Sequence, residues 1–166
     1  KKMIQIKDNF LNKKDFKTIK EMMESNTFPW YFNNYKIDPS QKNKDAGMYD
    51  YQFVHNFFLD NRINSNAYNV LEPIHKKLKP KFYIRIKANL NSYTHKPIKH
   101  AVHTDQPYNC KAAIFYINSN NGYTYFNKEK VKPKENRIVF FNGNVPHQAQ
   151  TCTDEKLKLV INFNYQ

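Results

Sequence analysis

From Lys81 onward the chain is cut into five short runs, "FYIRIKANL", "KAAIFYIN", "GYTYF", "RIVFF" and "LKLVINFNY", divided by clusters such as "NSNNG" and "FNGNVP". β-Branched and aromatic residues fill the runs, while Asn, Gly and Pro fill the gaps. Strands at this spacing with no helical pattern between them point to an antiparallel sandwich or barrel. This half of the chain is therefore read as mainly β.

Upstream the pattern is different. "NKKDFKTIKEMMES", residues 12–25, sets Phe16, Ile19, Met22 and Met23 at helical spacing, with Asn12 available as N-cap. An aromatic stretch broken by Pro29 follows, then a polar loop through Gly47, and "MYDYQFVHNFF" alternates enough to suit a strand. A second helix is expected over residues 65–79, where Tyr68, Val70, Leu71, Ile74 and Leu78 recur on a helical period and Pro73 limits the start. Both helices are expected to buttress one outer sheet. No repeat, low-complexity tract or linker divides the 166 residues, so one domain is expected, helical and aromatic over about 1–80 and β over about 81–166.

With 40% hydrophobic and 16% aromatic residues the chain can bury a sizeable core, which argues against disorder. It holds no apolar run of roughly 18 or more, and its start, "KKMIQIKDNF", lacks a secretory stretch, so a soluble cytoplasmic protein is expected, without membrane. Cys110 and Cys152 form no zinc-like pair and are read as reduced thiols. The net charge of +13 draws attention to nucleic acid. Yet only three of the 27 basic residues are arginines, Arg62, Arg85 and Arg137, and the lysines are dispersed. Abundant Lys, Asn, Ile, Tyr and Phe beside scarce Gly and Ala is also the profile of an A/T-rich coding sequence.

The stretch with most chemistry is "HAVHTDQP", residues 100–107. If residues 101–105 are extended, His103 and Asp105 share a face and His100 points away from it. A third ligand is offered by His147, in "GNVPHQAQ", 44 positions after His103. Two histidines and one carboxylate leave open positions on a metal, the arrangement associated with non-haem iron(II) oxygenases.

Between about Ile84 and Tyr165 the chain resembles the 2-oxoglutarate/Fe(II)-dependent dioxygenases, in particular their prolyl-4-hydroxylase-like branch. "HTD" is similar to the family's His-x-Asp, "AIFYIN" to the following strand, "NGYTYF" to its Gly-x-Thr strand, and "RIVFFNGNVPH" to the strand and turn carrying the distal histidine. The resemblance implies a double-stranded β-helix (jelly-roll) core with Fe(II) held by His103, Asp105 and His147. It also implies 2-oxoglutarate and O2 as cosubstrates, succinate and CO2 as co-products, and no obligatory acid–base residue. Lys158, on the last strand, is the best match for the basic residue that pairs with the far carboxylate of 2-oxoglutarate; Lys156 shares its parity. Tyr116 matches a tyrosine that helps to hold that carboxylate. Asn89 and Tyr93 lie where further cosubstrate contacts are common, Asn162 shares the face of Lys158, and Arg85 could face substrate.

The substrate implied is a peptidyl side chain, proline among the candidates, or a small metabolite, recognised by loops over residues 35–49 and 92–100. Two other readings stand beside it. One is an oxidative nucleic-acid demethylase, which would use Tyr49, Tyr51 or Tyr93 as a base platform. The other is a cupin-like metal-binding module without catalysis. Oligomeric state is not legible.

Overall fold

The apolar alternation of the β runs has its physical counterpart in two sheets, seen in a computed structural model that describes residues 3–36 and 46–166. The strands are β1 (Gln5–Lys7), β2 (Tyr31–Asn33), β3 (Gln52–Leu59), β4 (Arg62–Ile63), β5 (Tyr83–Ser92), β6 (Lys111–Tyr116), β7 (Thr124–Phe126), β8 (Glu129–Val131), β9 (Arg137–Asn142), β10 (Gln148–Ala149) and β11 (Leu157–Tyr165). The helices are α1 (Lys13–Glu24) and α2 (Glu72–Leu78). The larger sheet runs β1-β9-β6-β11-β5-β3-β2, with β4 paired to β3, and the smaller runs β10-β7-β8. Every strand pair is antiparallel. The fold is thus mostly β, consistent with a jelly-roll.

Both faces of the large sheet are covered, by different partners. Phe115 of β6 and Ile161 and Phe163 of β11 bury themselves with Phe16, Ile19 and Met23 of α1 and Ile74 and Leu78 of α2. The intervening residues, Ala112, Ile114 and Tyr116 of β6 and Val160 of β11, face the other way and pack with Phe126 and Val131 of the small sheet. Three short strands cannot cover the whole of an eight-stranded sheet. Beyond their reach the same face is polar, with Arg85, Lys87, Asn89 and Asn91 on β5 and Asn162 and Asn164 on β11, and the site lies there.

α1 starts as its sequence requires: the Asn12 side chain accepts from the Asp15 N–H at 2.9 Å, a cap of about 1 kcal/mol. The second helix is shorter than its periodicity suggests. Residues Tyr68–Leu71 form a 3-10 turn and the α-helix begins at Glu72, because Pro73 has no N–H to continue an α-helical ladder backwards. Lys79 closes it in the left-handed region at φ 47°. The strand expected at "MYDYQFVHNFF" begins only at Gln52, since Gly47–Tyr49 form another 3-10 turn. No helix among the described residues is long and apolar enough to cross a membrane. Of the loop expected to recognise substrate, residues 37–45 lie outside the described residues.

Candidate metal centre and its cavity

"HAVHTD" is not a strand. It runs antiparallel beside residues 147–150, at the β10 edge of the small sheet, through two isolated bridges, Lys99 with Gln150 and His103 with His147. In the second bridge each histidine N–H donates to the other's carbonyl at 2.9 Å, which fixes the two residues side by side although 44 positions separate them. Asp105 is brought to the pair by β11, whose Asn164 amide donates to Asp105 Oδ2 at 2.9 Å. The ligand atoms of His103, Asp105 and His147 then all lie within 4.8 Å of one another.

The donor set fits a divalent metal. His147 Nδ1 meets the Val145 carbonyl at 3.0 Å and His103 Nδ1 meets the Ala101 carbonyl at 3.3 Å. A carbonyl can only accept, so each Nδ1 carries the proton and each Nε2 keeps its lone pair for a ligand bond. The His147 ring is held between Phe126 and Phe141, at centroid distances of 5.5 and 5.0 Å. Burial, then the neighbouring His147, lowers the pKa of His103 and favours the neutral imidazole that a metal needs. Burial works to raise the pKa of Asp105, but Arg85 and the donated Asn164 amide hold it down and keep the carboxylate ionised. Arg85 Nη2 lies 3.5 Å from Asp105 Oδ1.

These ligands sit in the wall of a cavity of about 680 Å³. Along its floor the β5–β11 pairing sets Asn91 opposite Lys158, Asn89 opposite Val160, Lys87 opposite Asn162 and Arg85 opposite Asn164. Lys158 lines the cavity and is only 2% exposed. Its Nζ donates to the carbonyls of Gly122, at 2.5 Å, and Gln150, at 3.3 Å. Burial pushes its pKa down to about 7. Asn89 and Asn162 also line the cavity, each with Oδ1 buried and without a hydrogen-bond partner.

Other expected residues lie elsewhere. Lys156 is exposed and precedes β11, so the parity it shares with Lys158 does not carry it inside. Tyr93 is 44% exposed, its ring against His95, and does not line the cavity. Tyr116 is fully buried behind the lining; its hydroxyl donates at 2.8 Å to Thr124, which does line it. His100 corrects the parity argument: in a segment without strand geometry it turns into the same cavity, where it contacts Lys36.

The lining also takes in Lys36, Lys87 and Asn91, none of them among the expected site residues. Lys36 comes from the N-terminal half, where no motif was recognisable; burial, then the charge of Lys158, lowers its pKa to about 7. Lys87 and Asn91 could have been found, because they continue the alternation Arg85, Lys87, Asn89, Asn91 on one face of β5.

No protein-family model matches the chain, and no curated protein matches it in sequence. Among solved structures it is similar to a Trichoplax adhaerens prolyl hydroxylase in complex with a hypoxia-inducible-factor oxygen degradation domain peptide fragment. The identity is 14% and the TM-score 0.66, over 98% of this chain and 83% of that one. It is also similar to a Burkholderia pseudomallei oxidoreductase of the 2OG-Fe(II) oxygenase family, at 9% identity and TM-score 0.68 over 99% and 85% of the two chains. A Pseudomonas putida prolyl-4-hydroxylase aligns at 9% identity and TM-score 0.58 over 99% and 92%. The chain has the fold of these oxygenases.

Proposed function

We propose that the chain is an Fe(II)- and 2-oxoglutarate-dependent oxygenase, a single domain whose sheets form the family's double-stranded β-helix. It hydroxylates a C–H bond of a small metabolite or a peptidyl side chain, proline among the candidates. One observation carries the reading: two imidazoles with Nδ1 already engaged and one carboxylate converge on the wall of a cavity that also encloses a buried lysine. His103, Asp105 and His147 would hold the iron, and Lys158 the far carboxylate of 2-oxoglutarate. With the cosubstrate and dioxygen, bound iron supplies the oxidising power for C–H hydroxylation, succinate and carbon dioxide being the co-products.

The chain's own contribution is positional and electrostatic. The carbonyls of Ala101 and Val145 fix both imidazole tautomers, and Asn164 with Arg85 orients the ionised Asp105. Phe126 and Phe141 exclude water from the flank of His147. Lys158 offers a desolvated cation that only an anion satisfies fully. Tyr116 acts through Thr124: its donated hydrogen bond leaves the Thr124 hydroxyl free to donate into the cavity. The peptide held by the Trichoplax adhaerens enzyme supports the peptidyl alternative. The buried free thiols of Cys110 and Cys152 fit a reducing compartment, the cytoplasm.

The test is anaerobic Fe(II) titration of wild type and Asp105→Ala, followed by succinate measurement. Loss of iron binding in the variant, with succinate formed only by the wild type, is expected, because the anionic member of a three-ligand set is gone. Unchanged iron affinity would overturn the triad. Iron binding without cosubstrate-dependent succinate would leave a metal-binding module.

A further inference from the structure

The oxygenase reading leaves part of the cavity's charge without a task, and the substrate class inferred from that charge rests on the same reading. Among the described residues four basic side chains line the cavity, Lys36, Arg85, Lys87 and Lys158, against the single carboxylate of Asp105. Iron(II) and the 2-oxoglutarate dianion cancel each other's charge, so their arrival does not consume the surplus. Lys158 and Lys36 lie within each other's field at one end, and Arg85 is engaged by Asp105. Lys87 makes no hydrogen bond or ion pair among the described residues.

Register places Lys87 with the metal ligands rather than with Lys158. It lies opposite Asn162, one same-face step of about 7 Å from the Arg85–Asn164 pair that holds Asp105. The Asn91–Lys158 pair is two such steps away in the other direction, about 13 Å along the strands. Lys87 feels the charges of Arg85 and Asp105, and its own charge reaches His103. Beside it, Asn89 and Asn162 present buried carbonyl oxygens without partners. 2-Oxoglutarate carries no hydrogen-bond donor at neutral pH, so it cannot satisfy them, whereas a hydroxyl or ammonium group can.

We infer that the primary substrate is a small anion, whose carboxylate or phosphate sits on Lys87 beside the metal ligands and whose hydroxyl or amino groups donate to Asn89 and Asn162. A cavity of about 680 Å³ suits a molecule of that size. A neutral prolyl ring would leave Lys87 and both amide oxygens unsatisfied.

The test uses the full chain loaded with Mn(II) and saturated with 2-oxoglutarate, titrated calorimetrically with L-aspartate, with L-malamide, an uncharged molecule of the same size that keeps a hydroxyl donor but has no carboxylate, and with inorganic phosphate. Aspartate and phosphate distinguish the two anion types, and either one binding at least about tenfold more tightly than malamide is expected. Lys87→Met should weaken that binding about tenfold, Lys87→Arg should restore most of it, and 2-oxoglutarate affinity should move less than about twofold in both. Thermal unfolding of the variants checks that they fold. Equal affinity for aspartate, malamide and phosphate, or anion binding indifferent to Lys87→Met, would overturn the proposal. So would loss of 2-oxoglutarate binding in Lys87→Met, which would place Lys87 in the cosubstrate site. Repeating the anion titrations on the metal-free chain separates the two readings. Absent Mn(II) uptake with Lys87-dependent anion binding retained refutes the oxygenase assignment and keeps the anion site.

Discussion

Lys158 shows how much chemistry one buried side chain can set. Its ammonium is enclosed with two carbonyls and no carboxylate, so burial penalises the charged form and brings its pKa from 10.5 to about 7. The unfolded chain then binds the proton more readily than the folded chain between those values. This group's contribution to stability accordingly rises with pH from about 7 to 10.5 and is flat outside that window. An anion reverses the bias by pulling the proton back on. Binding of 2-oxoglutarate to the Mn(II)-loaded protein at about pH 8 should therefore take up protons, an uptake that fades below about pH 6. Calorimetry in buffers of different ionisation enthalpy reads it directly; identical enthalpies in all buffers would remove Lys158 from the cosubstrate site. Lys158→Met should weaken 2-oxoglutarate by roughly 3–5 kcal/mol while leaving Mn(II) affinity almost unchanged. Gly122 supports the same lysine, since a Cβ there would meet the Gln150 carbonyl at 2.7 Å and the Cys152 nitrogen at 3.1 Å. Gly122→Ala should thus raise the 2-oxoglutarate requirement without touching the metal ligands. At this scale the clustering of His103 and Asp105 was readable because they lie two positions apart in sequence. His100 was misplaced because parity presumes a strand, and two isolated bridges leave the intervening backbone free to turn.

Among the elements, legibility followed length. β5, β6, β9 and β11 run for six to ten residues, enough for alternation to show which side chains face the helices and which the cavity. β2, β4, β8 and β10 have two or three residues, too few for any period, and are set by their partners. Lys156 and Lys158 illustrate the limit, because they share parity yet the strand begins between them. The helices do different work from the site. Ile74 of α2 is fully buried against the face of the large sheet opposite the cavity. Ile74→Ala should cost about 2–5 kcal/mol in denaturant unfolding, with metal and cosubstrate affinities of the folded protein unchanged. A parallel loss of metal affinity would mean that the helical layer and the site are coupled through the sheet.

For the whole molecule, the net charge of +13 has two components that the sequence could not separate. Lys36, Lys87, Arg85 and Lys158 are gathered in the cavity, brought together from three parts of the chain, where they bias it toward small anions. The exposed lysines are scattered instead: Lys13, Lys14 and Lys17 on α1, Lys76 and Lys77 on α2, Lys128 and Lys130 around the β7–β8 turn, and Lys156 before β11. Several face acidic or aromatic partners, as in Lys17–Glu21, Lys76–Glu72 and Lys130 over Tyr123. Tyr49, Tyr51 and Tyr93, the expected candidates for a base platform, do not line the cavity, whereas Tyr35 does. A dispersed cationic surface attracts polyanions by counterion release alone, without register or pocket. Single-stranded DNA should therefore bind weakly and lose at least about tenfold in affinity between low and physiological salt. It should compete with neither 2-oxoglutarate nor L-aspartate at physiological salt, because none of the exposed lysines just named lines the cavity. Fluorescence anisotropy with a labelled oligonucleotide, repeated with the cavity filled and empty, measures both properties. Salt-resistant binding that 2-oxoglutarate or aspartate displaces would instead join the two components into one basic path to the metal, and nucleic acid would replace the small anion as substrate.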